Sequence, residues 1–289
     1  ERGYPPELWR KIANLGWLGL ALPEKYGGMD LTYFDLVLLL EEMGRALLGG
    51  PFFSTVVLGG MTILEAGSDA QKQDLLPGIA RGDIIATLAL TEPSATYEPS
   101  GIQTTAKAEG SNYVLNGTKL FVPDAQVADI LIVAARTRNT ADPARGVTLF
   151  VVDARAPGVT ITPLKTIAAD KQAEVELKNV RVPSSAVLGR VNRGWPTVSR
   201  ILEMAAAGKC AEMLGGADRV LDMTTDYVKE RIQFGRPVGS FQAVQHHCAN
   251  MATDVEGCRY VAYQAAWKVS EGLPATREVA IAKAWTSDA

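Results

Sequence analysis

The sequence predicts an α+β multidomain protein in which a middle antiparallel β-barrel or sandwich separates an N-terminal helical domain from a C-terminal up-down helical bundle. Apolar residues recur at helical spacing up to about residue 83, and they do so again from about residue 194. Between these blocks the chain consists of short β-branched segments. We therefore predict three domains, at residues 1–83, 84–190 and 191–289.

Four helices account for the N-terminal block. The first begins at Pro5-Pro6, because proline is well tolerated in the first turn of a helix. The second begins at Asp30-Leu31-Thr32, and the third covers about 52–66. Ser68-Asp69 offers the capping residue of the fourth.

About eight short strands fill the middle block. Asn116-Gly117 lies between two of them, and this dipeptide is a strong signal for a two-residue hairpin turn. Strands at hairpin spacing, without intervening helices, favour an antiparallel sheet over a parallel one.

The C-terminal block contains long two-faced helices, which are typical of a helical bundle. One helix ends before Gly235-Arg236-Pro237, the next runs from Phe241 to about Gly272, and a third opens near Pro274. That third helix reaches Ala289 without a capping residue, so we expect the bundle to be incomplete here.

Composition limits the classes of function. The net charge is −3 with interspersed signs, which predicts no nucleic-acid partner and no membrane surface. No apolar run approaches the roughly 20 residues of a membrane span, and nothing at the N-terminus resembles a signal peptide. Three cysteines imply no disulfide framework, and no metal-ligand spacing occurs. We expect a cytoplasmic protein.

Common cofactor and nucleophile motifs are absent, namely G-x-G-x-x-G, the P-loop and G-x-S-x-G. Three segments stand out instead: 90–93, 121–125 and 230–238, the last followed by a new helix at 241–245. Each also has an ordinary interpretation, as a strand end, a core aromatic before a turn, or a solvated loop. Arg231 and Gln233 beside a helix start are a plausible pyrophosphate clamp.

Taken in order, these segments resemble the acyl-CoA dehydrogenase family, and the resemblance covers nearly the whole chain. The matching motifs are Tyr26-Gly27-Gly28, Thr91-Glu92-Pro93, Arg231-x-Gln233-Phe234-Gly235 and Gln242-Ala243-Val244-Gln245. The resemblance implies an FAD-dependent oxidoreductase of fatty acid or lipid catabolism, active as a homotetramer or dimer.

The resemblance also implies roles for individual residues. Leu90 and Thr91 would contact the flavin ring, and Phe121, Val122 and Pro123 would lie along it. The pyrophosphate and adenine of FAD in a neighbouring subunit would be reached by Arg231, Gln233 and Phe234, with Gln242 facing the same cofactor.

The implied reaction is α,β-dehydrogenation of an acyl-CoA thioester to a 2-enoyl-CoA, with hydride transfer to flavin N5 and an electron-transfer flavoprotein as acceptor. The catalytic residue stays unknown. In most of the family the base is a glutamate that would lie beyond Ala289, and in a minority it stands at the position of Ala205.

Several residues depart from the family pattern. The loop from Ser94 to Glu98 replaces two glycines and places Tyr97 towards the expected CoA path. The hydroxyl usual at position 123 is replaced by proline. Glu203 is the acidic residue nearest to position 205, and it either contacts substrate or is a solvated helix carboxylate. Acyl chain length and class therefore stay open.

Two alternatives remain. One is another flavoenzyme on the same scaffold, of the monooxygenase or nitroalkane oxidase type. The other is a non-catalytic FAD-binding subunit of a heteromeric dehydrogenase.

Overall fold

The computed structural model describes residues 3–289 and confirms the predicted fold class, with a β-sheet domain between N-terminal and C-terminal helices. The N-terminal helices are α1 (Pro6–Asn14), α2 (Tyr33–Arg45), α3 (Met61–Ala66) and α4 (Asp69–Ala80). A π-helical segment, Ser54–Gly60, leads directly into α3.

Ten strands and three further helices follow. The strands are β1 (Ala86–Ala89), β2 (Thr105–Glu109), β3 (Asn112–Pro123), β4 (Ile130–Arg136), β5 (Val147–Asp153), β6 (Val159–Leu164), β7 (Gln172–Pro183), β8 (Val187–Leu188), β9 (Ile232–Gln233) and β10 (Arg236–Pro237). The helices are α5 (Trp195–Glu230), α6 (Gln242–Ser270) and α7 (Thr276–Asp288).

The chain divides into two compact units. The first comprises residues 1–30 and 49–201, and the second comprises residues 31–48 and 202–289. The first unit holds strands β1–β8 with α1, α3 and α4, and the second holds α2, most of α5, and α6 and α7.

Reciprocal capping explains where two helices begin. The Thr32 hydroxyl accepts from the backbone N–H of Asp35, and the Asp35 carboxylate accepts from the backbone N–H of Thr32. Ser68 and Gln71 form the same arrangement at the start of α4. Each box satisfies backbone donors that the first turn leaves unpaired, so both predicted starts are confirmed.

Within the first unit, eight strands form a mixed, open sheet. Seven of them follow the order β6-β7-β3-β2-β4-β5-β8, and β1 pairs with β4. The β1–β4 pairing is parallel, as is the short contact between β2 and β4, whereas the other pairings are antiparallel. Among residues 3–289 the sheet does not close into a barrel, which refines the predicted antiparallel barrel or sandwich.

The hairpin predicted at Asn116-Gly117 was wrong, because both residues lie inside β3. The β2–β3 turn instead joins Glu109 to Asn112. Gly117 lies at a register shift of the β3–β7 ladder, with φ of 156°. A Cβ at this position would stand 2.4 Å from Oγ1 of Thr104. Glycine is therefore needed at this position because Thr104 lies so close to the β3 backbone, and not because the chain turns here.

The second unit is joined by close helix packing and by a polar network. Carbonyl oxygens of α5 and α2 approach the glycines Gly44 and Gly215, leaving no room for a Cβ at either. Arg259 donates to Glu41 at 2.7 Å and to Asp218 at 3.1 Å, and the Tyr263 hydroxyl donates to Glu41 at 2.6 Å. The Glu41 carboxylate is thus buried with two donors, as a charged group in a core requires.

The cysteines of the C-terminal helices differ in burial. Cys210 and Cys258 are buried, and Cys248 is half-buried.

No helix between residues 3 and 289 combines the length and the apolar character needed to cross a bilayer.

Candidate functional site

The first unit brings two predicted segments together at the exit of β1. The backbone N–H of Leu120, in β3, donates to the carbonyl oxygen of Thr91 at 2.8 Å. This bond places Leu90 and Thr91 beside the segment that carries Phe121, Val122 and Pro123. We call residues 90–92 and 119–123 the β1–β3 junction.

A β-bulge shapes the β3 side of this junction. The β3–β7 register shifts between Lys119 and Val122, and Phe121 adopts a left-handed backbone with φ of 54°. A non-glycine residue with positive φ is uncommon, and bulges often reorient a side chain next to a functional site. Here the Phe121 ring is 49% exposed, although Val122 beside it is buried.

The junction contains a buried ion pair between Lys119 and Glu92, with side-chain exposures of 0% and 3%. The Lys119 ammonium donates to Oε1 of Glu92 at 2.6 Å and to the Leu90 carbonyl oxygen at 3.2 Å. The Glu92 carboxylate also accepts from the backbone N–H groups of Gln103 at 2.8 Å and Thr104 at 3.0 Å. Both charges are therefore hydrogen-bonded within the protein.

The electrostatic setting of Lys119 follows from its burial. Removal from water lowers the pKa of Lys119 to about 8, and the Glu92 carboxylate opposes this change. At neutral pH the ammonium form thus persists, and the ion pair is intact. The junction holds a paired charge of each sign in a dry environment.

Sequence reasoning missed Lys119 altogether and gave Glu92 no role. A signal was present, because Lys119 interrupts an otherwise β-prone run, and Glu92 follows a largely apolar segment at residues 84–91. A lysine and a glutamate at positions expected to be buried are rarely left unpaired. Pairing the two would have required the bulge and the β1–β3 contact to be known.

In the second unit, β9 and β10 form a small hairpin between α5 and α6. The backbone N–H of Val238 donates to the carbonyl oxygen of Arg231 at 2.7 Å, which closes the hairpin. Phe234 and Gly235 occupy its tip with φ of 54° and 77°. The Phe234 side chain is 91% exposed and meets the Phe241 ring edge-on, with ring centroids 6.0 Å apart.

Polar side chains of the hairpin face solvent. Arg231 and Gln233 are exposed, as is Gln242 in the first turn of α6. Arg236 stacks over the Phe241 ring at 4.2 Å. The Arg231 guanidinium forms no side-chain hydrogen bond or ion pair with residues 3–289. It therefore remains available for an anion.

Tyr97 and Glu203 occupy different settings. Tyr97 is 64% exposed in the loop after the β1–β3 junction. Glu203, on α5, is half-buried and accepts a hydrogen bond from the Thr276 hydroxyl. Glu203 is thus already engaged within its own unit, and Tyr97 is free to contact another molecule.

The residues present suit a flavin dinucleotide. The exposed Phe121 ring belongs to the segment that is hydrogen-bonded to Thr91, a half-buried residue whose hydroxyl has no partner among the described residues. Such an apolar surface with few polar groups is typical of sites that hold a planar cofactor. A free arginine next to the start of a long helix suits a pyrophosphate.

Three sequence profiles of one family match the chain in succession. They are described as "Acyl-CoA dehydrogenase, N-terminal domain" over residues 1–83, "Acyl-CoA dehydrogenase, middle domain" over 87–180 and "Acyl-CoA dehydrogenase, C-terminal domain" over 192–289.

Individual relatives agree with these profiles. The chain is 34% identical to "3-(aryl)acrylate reductase" of Clostridium sporogenes, over 99% of this chain and 77% of the relative. It is 30% identical to "Caffeyl-CoA reductase-Etf complex subunit CarC" of Acetobacterium woodii, over 99% and 76%. Among solved structures, butyryl-CoA dehydrogenase from Megasphaera elsdenii superimposes with a TM-score of 0.92 at 32% identity, over 99% of this chain and 76% of that one.

Proposed function

The chain belongs to the acyl-CoA dehydrogenase family, and we propose that it catalyses α,β-dehydrogenation of an acyl-CoA thioester to a 2-enoyl-CoA. It is an oxidoreductase with FAD as cofactor. The β1–β3 junction is the observation that carries the proposal. There, the carbonyl oxygens of Leu90 and Thr91 accept hydrogen bonds from Lys119 and Leu120, in the segment that exposes Phe121.

Each side of the junction has a proposed role towards the flavin. Leu90 and Thr91 contact the ring, and the Thr91 hydroxyl is available to its polar edge. Phe121, Val122 and Pro123 lie along the ring and exclude water from it. Bound FAD supplies the acceptor for the hydride that leaves the substrate β-carbon.

The β9–β10 hairpin has the second proposed role. Arg231 and Gln233 bind the pyrophosphate, Phe234 contacts the adenine, and Gln242 faces the same cofactor. In the proposed homotetramer or dimer this cofactor belongs to a neighbouring subunit, which agrees with the exposure of the hairpin.

The proposed division of the chain into domains remains residues 1–83, 84–190 and 191–289.

Substrate contacts are proposed for Tyr97 and Glu203. The exposed Tyr97 ring adds bulk to the loop that follows the junction, which favours an acyl group other than a short straight chain. The Thr276 hydroxyl donates to the Glu203 carboxylate, and this hydrogen bond sets the orientation of the Glu203 side chain. No catalytic base is assigned among residues 3–289, since position 205 is alanine.

A panel of acyl-CoA thioesters tests this function. The purified protein is expected to be yellow, and its flavin absorbance near 450 nm to fall anaerobically with at least one straight, branched or aromatic acyl-CoA. An electron-transfer flavoprotein is the proposed acceptor and should restore the absorbance. Absorbance that falls only with a nitroalkane, or oxygen consumption with product hydroxylation, would instead support the other flavoenzyme types. A colourless protein active only with a second polypeptide would support the heteromeric subunit.

The reverse reaction is a second candidate, favoured by the relative named 3-(aryl)acrylate reductase. The same site would then deliver a hydride from reduced flavin to the β-carbon of an unsaturated aryl acyl group. Chemically reduced protein should be reoxidised anaerobically by a 3-arylacryloyl-CoA and not by its saturated analogue. Reoxidation by neither compound excludes this candidate.

A further inference from the structure

We infer that Lys119 and Glu92 act as a pair of positioning residues, which hold the β1–β3 junction in the geometry that binds flavin. The inference rests on the proposed contacts of Leu90 and Thr91 with the flavin ring. Neither charged side chain is proposed to touch the cofactor, because both are buried within the junction.

The pair restrains the backbone on both sides of Thr91. The Lys119 ammonium binds the carbonyl oxygen of Leu90, the residue before Thr91, and the carboxylate of Glu92, the residue after it. Thr91 itself is bound through its carbonyl oxygen to the N–H of Leu120, the residue after Lys119. Three consecutive residues of one segment are thus held by two consecutive residues of β3.

Glu92 anchors the same segment to a third part of the chain. Its carboxylate accepts the backbone N–H groups of Gln103 and Thr104, in the approach to β2. The carboxylate therefore joins the β1 exit, the segment before β2, and β3 at one point. A neutral side chain with one acceptor oxygen cannot satisfy all three donors at once.

Lys119 also stands at the start of the bulge that exposes Phe121. The β3–β7 register is regular from Gly117 to Lys119 and resumes at Val122. Fixing the Lys119 side chain under Leu90 thereby fixes where the bulge begins and where the Phe121 ring points. The Lys119 side chain thus positions both proposed flavin-binding segments, residues 90–91 and residues 121–123.

Replacing both members of a buried ion pair by uncharged side chains commonly changes net stability little, because desolvation of both charges offsets their attraction, whereas removing one partner leaves the other charge buried and unpaired. The double variant therefore separates the effect on FAD affinity from the effect on folding. In the double variant, loss of the pair should change FAD affinity by more than it changes thermal stability.

The test compares Lys119→Met, Glu92→Gln and the double variant with the parent protein. FAD is removed, and the dissociation constant is measured by quenching of flavin fluorescence at a temperature at which circular dichroism shows each variant folded. Thermal unfolding is recorded without FAD, and the visible spectrum of the reconstituted protein is recorded with it. Ile79→Val, at a fully buried position of α4, is the control for a general loss of core packing.

We expect each single variant to bind FAD at least tenfold more weakly and to lose vibronic structure in the flavin absorption band. The double variant should bind no more weakly than the worse single variant, since the two residues act as one unit. Ile79→Val should lower the unfolding temperature while leaving FAD affinity and spectrum unchanged.

Parent-like FAD affinity and spectrum in folded Lys119→Met and Glu92→Gln would overturn the inference. Additive losses in the double variant would overturn it too, as would failure of all three variants to fold, which would assign the pair to the fold as a whole. These outcomes are distinct from failure of the proposed function, in which the parent protein itself fails to bind FAD or to react with acyl-CoA.

Discussion

Gly215 on α5 packs so closely against Glu41 on α2 that a Cβ at position 215 would stand 1.9 Å from the Glu41 carbonyl oxygen. Gly216, the next residue on α5, has its nearest neighbour at 3.9 Å, the carbonyl oxygen of Gly44. The two adjacent glycines thus have opposite structural requirements.

Alanine substitutions at these two positions should have opposite effects. Gly215→Ala forces the helices apart, and we expect it to lower the free energy of unfolding by about 2 kcal/mol. Gly216→Ala meets no obstacle and should raise it by up to about 1 kcal/mol through helix propensity. Urea denaturation of both variants measures the difference. Equal effects of the same sign would contradict the close contact at Gly215.

Removal of Arg259 should destabilise the second unit. Arg259→Met leaves the buried Glu41 carboxylate with the Tyr263 hydroxyl as its remaining side-chain donor. We expect a loss of about 2–3 kcal/mol in the free energy of unfolding, less than for a fully buried pair because Arg259 is 26% exposed. Arg277→Met, at an exposed position of α7, should change it by less than about 0.5 kcal/mol. Equal stability of the two variants would show that the Arg259 network is energetically neutral.

The buried lysine should make stability depend on pH in alkaline solution. The pKa of Lys119 is lowered from the reference value of 10.5 to about 8 in the folded protein. Between these values the unfolded chain holds a proton that the folded chain has lost, so this group's contribution to stability rises with pH.

Comparison with Lys119→Met isolates that contribution. The free energy of unfolding of the parent, minus that of the variant, should increase between pH 8 and pH 10. The slope should not exceed about 1.4 kcal/mol per pH unit. Parallel stability curves for the two proteins over this range would rule out the lowered pKa.

Arg231 should contribute to FAD affinity without contributing to folding. Arg231→Ala removes an exposed guanidinium that has no side-chain partner within residues 3–289, so unfolding without FAD should be unchanged. Loss of one charge-assisted hydrogen bond to a phosphate should weaken FAD binding by about 10–100-fold. Lys229→Ala, at an exposed cation near the end of α5, is the matched control and should bind FAD as the parent does. Equal FAD affinities of the Arg231→Ala and Lys229→Ala variants would contradict the proposed contact of Arg231 with the pyrophosphate.

Local signals in the sequence sufficed for much of this fold. Thr32 and Ser68 mark helix starts through side-chain bonds to residues three positions away, so their effect is readable within one turn. The long periodic patterns of α5 and α6 likewise reveal two-faced helices. These elements depend on contacts at short sequence separation, which is why a linear pattern predicts them.

Features that depend on distant contacts were not predicted. Asn116-Gly117 has the composition of a turn, yet it lies inside β3, where Thr104 stands too close to Gly117 for a Cβ to fit. The parallel pairing of β1 with β4 joins residues 44 positions apart, as between Ala86 and Ile130. The partnership of Lys119 and Glu92 spans 27 positions and depends on that pairing and on the bulge. Such relations arise from tertiary packing that local propensity does not encode.

The parallel β1–β4 pairing also imposes an order on folding. The β2–β3 and β4–β5 hairpins close over two and ten intervening residues, whereas β1 can join the sheet only after β4 exists to receive it. Contacts between distant segments form late because closing a long loop costs chain entropy before any contact repays it. We therefore expect residues 90–92, which directly follow β1, to reach their final positions only after β4 is in place. The proposed flavin surface would then be completed later than the β2–β3 and β4–β5 hairpins, because it needs contacts between segments far apart in the chain.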